Sequence, residues 1–243
     1  MADYSYIGSG KIYMRDLSGS GGLLEIGNVS KLDIGTEEET KELRDYRSPG
    51  GGVINEVRRI TGVTLAMTLH DLNATNLAMS LYGTTEAVEA GSATSEVVTA
   101  KHDALVRLAH TGISNVVVQD ETDTTTYTAG TDYEVRPGGI FILSTGSIAD
   151  GATLHVDYDY GAQDVVQALD GAQGTYELVF EGLNEARSGK PVIVDVWRAR
   201  FGAAKTISLI GDDYAGLEVE GKALKDTSKP AGTSQYFRVT LVE

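Results

Sequence analysis

The first stretch that could do chemistry is Gly8-Ser9-Gly10-Lys11. A phosphate-binding loop requires an earlier glycine and a Ser or Thr after the Lys; Ser5 and Ile12 fill those places. The stretch reads instead as the flexible start of a strand. Carboxylates cluster in "DETDTTTYTAGTDYE" (Asp120–Glu134) and "DYDYG" (Asp157–Gly161). A hard cation would want several of these oxygens together. The EF-hand spacing is absent, however, and the carboxylates fall at turn positions or alternate along strands, as solvated turns do. No spacing marks a glycosidase pair. A hydrolase built on Asp120, Asp123 and Asp132 has only scattered carboxylates behind it. His70, His102, His110 and His155 lack zinc-ligand spacing, and no G-x-S-x-G elbow occurs. Trp197 lies in an apolar run, where core or subunit packing is its ordinary use. The expectation is a protein with no catalytic, cofactor or metal site, and not an enzyme.

Composition narrows the partners. The 243 residues carry a formal charge of -15 and no cysteine. That charge opposes direct attraction to nucleic acid or to an anionic membrane. Disulfides and thiolate metal sites are excluded. The N-terminus lacks the basic and apolar regions of a signal peptide, and no apolar run reaches transmembrane length. A soluble cytosolic product is expected.

The elements that must position any site are mostly strands. "TGVTLAMTLHD" sets Val63, Leu65, Met67 and Leu69 on one face and Thr64, Ala66, Thr68 and His70 on the other. "GTYELVFEGLN" and "GLEVEGKAL" alternate likewise. "KPVIVDVWRARF" begins apolar on both faces, as in a covered strand, and "SQYFRVTLV" closes the chain as a strand. "DLNATNLAMSLYG" reads as the single helix, capped by Asp71 or Asn73 and closed by Gly83. The small polar "TTEAVEAGSATSE" reads as a linker. Strand runs from Val97 to Gly161 then suggest a small β-sandwich. From Thr84 to Val165 there are thirteen acidic and three basic residues, so this block carries most of the negative charge. The expected domains are 1–95 with 166–243, and an insert at 96–165.

"EEETKELRDYRSPGGG" stands apart. Five acidic and three basic residues lie between Glu37 and Arg47, before a break at Pro49. Two readings stand level: a solvated hairpin or disordered loop, or an arm whose mixed charges pair across a subunit boundary.

In order along the chain, "YIGSGKIYMRD", "LEIGNVSKLDI", the arm, "VTLAMTLHDLNATNLAMSLYG", "YELVFEGLNEARSGKPVIVDVWRARF" and "LIGDDYAGLEVEGKAL" resemble the major tail tube protein of long-tailed (siphovirus-type) bacteriophages. The resemblance covers essentially the whole chain. It implies an all-β fold: a tail-tube β-sandwich flanked by a helix, with an inserted immunoglobulin-like domain that minimal tube proteins lack. It implies subunits that close into hexameric rings and stack as a tube, the conduit for genome delivery. Implied partners are other copies of the chain, the tail initiator, tape measure and tail terminator proteins, and double-stranded DNA in passage, with no membrane and no cofactor. The implied location is the virion tail, after synthesis in the host bacterial cytoplasm. Glu37, Glu38, Glu39, Lys41, Glu42, Arg44, Asp45, Arg47, Pro49, Gly50, Gly51 and Gly52 would form the inter-subunit arm, whose glycines would let it rearrange on assembly. Glu177, Glu181, Glu218 and Glu220 either line the bore or are solvated on the outer surface. The alternative is a carbohydrate-binding or adhesive β-sandwich, which needs an exposed aromatic platform; Tyr127, Tyr133, Tyr158 and Tyr160 are its candidates.

Overall fold

The computed structural model describes residues 4–47 and 49–242. The chain is mostly β-sheet with one α-helix. It divides into two compact units, Met1–Thr85 with Val166–Glu243, and Glu86–Val165.

The first half of unit 1 contains β1 (Gly8–Asp16), β2 (Leu24–Glu25), β3 (Val29–Arg44), β4 (Val53–Leu69) and α1 (Ala74–Leu81). The chain then crosses through β5 (Thr84–Val88). Unit 2 holds β6 (Gly91–Thr99), β7 (Ala104–Arg107), β8 (Ile113–Asp120), β9 (Tyr133–Arg136), β10 (Gly139–Ile142) and β11 (Thr153–Tyr160). The return crossing is β12 (Gln163–Gln167), which pairs with β5 as a two-stranded ribbon. Unit 1 resumes with β13 (Tyr176–Asn184), β14 (Lys190–Phe201), β15 (Leu217–Ala223) and β16 (Phe237–Leu241).

Residues 84–88 and 91–96 are therefore strand where a linker is expected. β5 is exposed at all but its last residue, and β6 alternates only between half-buried and exposed positions, because β5 pairs only with β12 and β6 is an edge strand. A strand with little to bury carries little hydrophobic period, but its Thr and Val residues still favour extended backbone.

The sheet of unit 1 runs β2-β1-β13-β14-β15-β4-β3. It branches at β14, whose Val192–Val196 pairs with β16 and whose Ala199–Phe201 pairs with β15. Ile12, Met14, Leu178 and Val196 from one wing share a single core cluster with Val63, Leu65, Met67, Leu69, Leu217 and Val219 from the other. The sheet therefore folds over on itself. β14 buries one face only: Val192, Val194 and Val196 are buried, while Ile193 and Asp195 are half-buried. This corrects the expectation of a strand covered on both sides. Asp195 is instead paired with Arg238 of β16 at 2.7 Å. Trp197 is half-buried on that second face, its Nε1 donating to the Ser234 carbonyl at 2.9 Å and its ring under the Lys229 ammonium.

Helix α1 is short and needs tertiary support. Asn73 caps it, its side chain accepting from Asn76 N at 2.9 Å. Tyr82, not Gly83, takes the left-handed closing position at φ 49°. Gly83 instead lies where a Cβ would meet the Gln167 carbonyl at 2.6 Å. Asn76 is 2 % exposed, and its Nδ2 donates to the Ile26 and Asp71 carbonyls, both at 2.8 Å. One side chain thus ties the helix to the β2–β3 connection and to the end of β4.

Unit 2 consists of two three-stranded antiparallel sheets, β6-β11-β8 and β7-β10-β9. Val118, Leu154, Val156 and Tyr158 of the first share one core cluster with Tyr133, Ile140 and Ile142 of the second.

Replacing Asn76 with Ala deprives the Ile26 carbonyl, on a buried residue, of its donor. The expected cost is about 1–3 kcal/mol, read as a lower urea midpoint at unchanged slope. Asn73→Ala removes only a cap and costs about 1 kcal/mol.

Candidate assembly interface

The arm is a β-hairpin. β3 and β4 stay paired from Val29↔Leu69 out to Arg44↔Val53, with irregularities between Val29 and Lys31, between Glu37 and Glu38 and between Leu43 and Arg44. The proximal part of β4 buries Val63, Leu65, Met67 and Leu69. Beyond the irregularity between Glu37 and Glu38 nothing is buried: Glu38–Arg44 and Val53–Thr61 are exposed on both faces.

The tip explains its glycines. The Asp45 amide donates to the Gly52 carbonyl at 2.8 Å. Gly50 has φ +81°, and a Cβ on Gly51 would lie 1.7 Å from the Asp45 carbonyl oxygen. Both are required to close the turn. The Asp45 carboxylate accepts from Arg47 N and Nε at 2.9 and 3.0 Å, and the Arg47 guanidinium beside it holds its carboxyl below the usual carboxylate range. Pro49 lies in the same turn, and Ser48 falls outside the described residues.

The charges of the arm pair along their own strands. Lys41 lies 3.7 Å from Glu39 and Arg44 3.7 Å from Glu42, and Arg58 bonds Glu56. Glu37 reaches back to Lys222 of β15 at 2.8 Å. Exposed pairs of this kind are worth about 0–1 kcal/mol, so they can exchange partners at little cost. Glu42 stands directly opposite Glu56, a like-charged cross-strand pair that opposes hairpin formation. The charges are legible in the sequence; the apolar residues between them are less so. Leu43, Tyr46, Val53, Ile54, Val57 and Ile60 are all exposed. The signal was present as Val53, Val57 and Ile60 in β4, but their spacing fits no single strand face.

Glu177 and Glu181 lie on the β13 wing of the folded sheet, and Glu218 and Glu220 on the β15 wing. Each alternates with core residues of β13 or β15, so all four lie on the side of the sheet opposite the core. On both wings the surroundings are mixed in charge rather than acidic. Arg15 bonds Glu177, Lys11 is the register partner of Glu181, and Lys205 sits 2.9 Å from Glu220. The Lys205 ammonium keeps the Glu220 carboxyl below its ordinary range. His70 also points away from the core, its Nε2 2.8 Å from Ser30 Oγ and its Nδ1 3.1 Å from the Ala215 carbonyl.

In unit 2 the aromatic residues named for an adhesive platform are packing residues. Tyr133 and Tyr158 are buried, and Tyr127 and Tyr160 pack against the same cluster. Tyr158 Oη donates to Glu96 at 2.5 Å, and burial pushes its pKa up to about 12. Tyr160 is stacked on His110 with ring centroids 3.7 Å apart. Among the described residues, no aromatic side chain of this unit ranks with its exposed large hydrophobics, which are Val97, Leu105, Val117 and Val135.

Of the clustered carboxylates, Asp120 and Asp132 serve turns, while Asp123 pairs with His155 at 2.7 Å. Asp120 accepts from Thr124 N and Thr125 N at 2.9 and 3.1 Å, and those amides hold its carboxyl well below the usual range. Asp132, 5 % exposed, accepts from Thr128 N at 2.8 Å and Ser147 N at 2.7 Å. Among the described residues no group of three His, Asp or Glu side chains could hold a metal ion.

The two amides depress the Asp132 carboxyl below 3.8. A depressed native value means that its stabilisation is complete above pH 3.8 and is lost as the pH falls through the native value. Asp132→Asn offers one acceptor oxygen to two amides. It should therefore lower thermal stability at pH 7 and flatten the loss of stability below about pH 4; a wild-type acid limb in the variant would contradict this.

No curated protein matches the chain. The family match spans residues 5–240, which takes in nearly all of unit 1 and the whole of unit 2. The chain belongs to the family described as protein of unknown function UCP028589.

Proposed function

We propose that the chain is a structural subunit that assembles with copies of itself, and that it forms the tail tube of a long-tailed bacteriophage as stacked hexameric rings. The observation that carries this reading is the distal β3–β4 hairpin. It projects beyond the core with both faces solvated and six large apolar side chains exposed. An isolated two-stranded ribbon is marginal in water, and exposed apolar surface of this extent marks interaction sites. β3 is also a free sheet edge along its whole length, which invites pairing with another chain. A neighbouring subunit would supply the missing third layer. Identical subunits joined head to tail close into rings or stack into tubes.

On this reading unit 1 is the tube-forming β-sandwich. Unit 2, with two small sheets around one core, is an immunoglobulin-like decoration. The net charge of -15 opposes adhesion to DNA, which carries about one charge per 1.7 Å of axis, but most of it lies in unit 2 and so bears on the particle rather than on the bore. Initiator, tape measure and terminator proteins would bound the tube at its ends.

Trimming the hairpin by joining Glu37 to Gly62 through an Asn-Gly turn preserves the buried half of β4. Negative-stain electron microscopy at high concentration should show rings or hollow tubes for the intact chain and none for the trimmed one, with thermal unfolding reporting that both remain folded. Tubes formed equally by the trimmed chain would remove the hairpin from assembly.

The bore assignment has its own test. Glu177 is left in place because it holds Arg15. Replacing Glu181, Glu218 and Glu220 with Lys should leave tubes intact and slow or trap genome ejection. Normal infectivity in that triple variant would place these three residues outside the bore.

A further inference from the structure

Two surfaces of unit 1 carry complementary features. The first is the connection from β14 to β15. Its base is anchored: Ala204 N donates to the Ser80 carbonyl at 2.7 Å, and Ala204 and Ile207 pack on the core. Its tip then runs outward. Leu209, Ile210 and Tyr214 are 83 %, 98 % and 97 % exposed. A single exposed apolar residue is ordinary; three within one short loop tip, with no chain packed on them, form a patch that water disfavours. Asp212 and Asp213 stand between them, and neither has an ion pair among the described residues.

The second surface is a groove of about 380 Å³ floored by Val192, Val194, Val239 and Leu241, with Arg187 and Lys190 at its rim. Removing one large side chain from a core leaves a cavity of about 150 Å³, so the groove has room for two. No residue of the 202–216 loop lines it. Arg187 lies over the Tyr4 ring at 5.0 Å, and neither Arg187 nor Lys190 has a carboxylate partner among the described residues. The groove thus offers an apolar floor and two uncompensated cations. The loop tip offers apolar side chains and two uncompensated anions.

We infer that the Leu209–Tyr214 tip of one chain docks in the β14–β16 groove of a second copy, with Asp212 and Asp213 facing Arg187 and Lys190. This rests on the reading of the chain as a self-assembling subunit and gives it a second contact, separate from the hairpin. The contact is heterologous, because the loop and the groove are different surfaces. Each chain therefore keeps one free loop and one free groove, and the contact propagates until it closes. A stable pair buries about 1,600 Å², more than this tip offers, so the contact acts together with the hairpin.

The chain has no cysteine, which makes cross-linking clean. Ile210→Cys and Leu241→Cys are prepared as separate pools, mixed, concentrated and mildly oxidised. Assembly is followed in parallel by electron microscopy of the unmodified chain. The expected result is a disulfide-linked dimer in the mixed pool and none in either pool alone. Lys190→Glu in the Leu241→Cys pool should lower its yield about tenfold, and Asp212→Lys in the Ile210→Cys pool should restore it. Particles without a 210–241 link, or dimers within the Ile210→Cys pool alone, would overturn the inference and leave the assembly reading standing. Neither particles nor links would overturn both.

Discussion

A two-stranded β-ribbon has no face to bury without a third element, and the pairing of β3 with β4 carries this chain from a buried sheet into that condition. The same two strands supply Val63, Leu65, Met67 and Leu69 to the core and then run on past it. The inner half fixes the register. The irregularity between Glu37 and Glu38 marks where burial ends, and the outer half holds its register through backbone bonds and a glycine-closed tip. Everything proposed for assembly follows from this mismatch between where strand pairing stops and where the core stops.

Charge works at a different scale. The overall charge of -15 comes mostly from unit 2, where Asp120 and Asp132 bind backbone amides of turns. In unit 1 acidic and basic groups interleave, and most visible ion pairs are exposed. Such pairs add little stability, but they set which surfaces can approach one another. Asp212 and Asp213 on a loop, and Arg187 and Lys190 at a groove, are among the charges that have no ion pair among the described residues.

Much of this was legible in the sequence. The alternation in "TGVTLAMTLHD" located a half-buried strand, since one face meets the core and the other meets water. The helix, with a cap at Asp71 or Asn73, followed from side-chain chemistry that acts locally; the structure puts the cap at Asn73. What escaped depended on distant partners. "KPVIVDVWRARF" looked covered on both faces, yet its second face is satisfied by Arg238 and by the segment over Trp197. The 84–96 segment hid its strands because an edge strand buries little. The tyrosines of unit 2 read as available because alternation gives a face, not its depth. The arm was visible as a charged, glycine-broken segment; its apolar residues were not, because strand irregularities scatter them over both faces. The loop tip at Leu209 and Ile210 has no periodicity at all, so only the exposure of the folded chain brings it out.

The central claim is that the outer hairpin is completed by another subunit. Amide hydrogen exchange tests it most directly, compared between dilute chain and assembled particles. The account predicts that amides of Glu38–Arg44 and Val53–Ile60 exchange rapidly in the dilute chain, while those of Val63–Leu69 are protected, and that the outer amides become protected on assembly. Outer amides already as protected in the dilute chain as the inner ones, or unchanged in the particles, would contradict it.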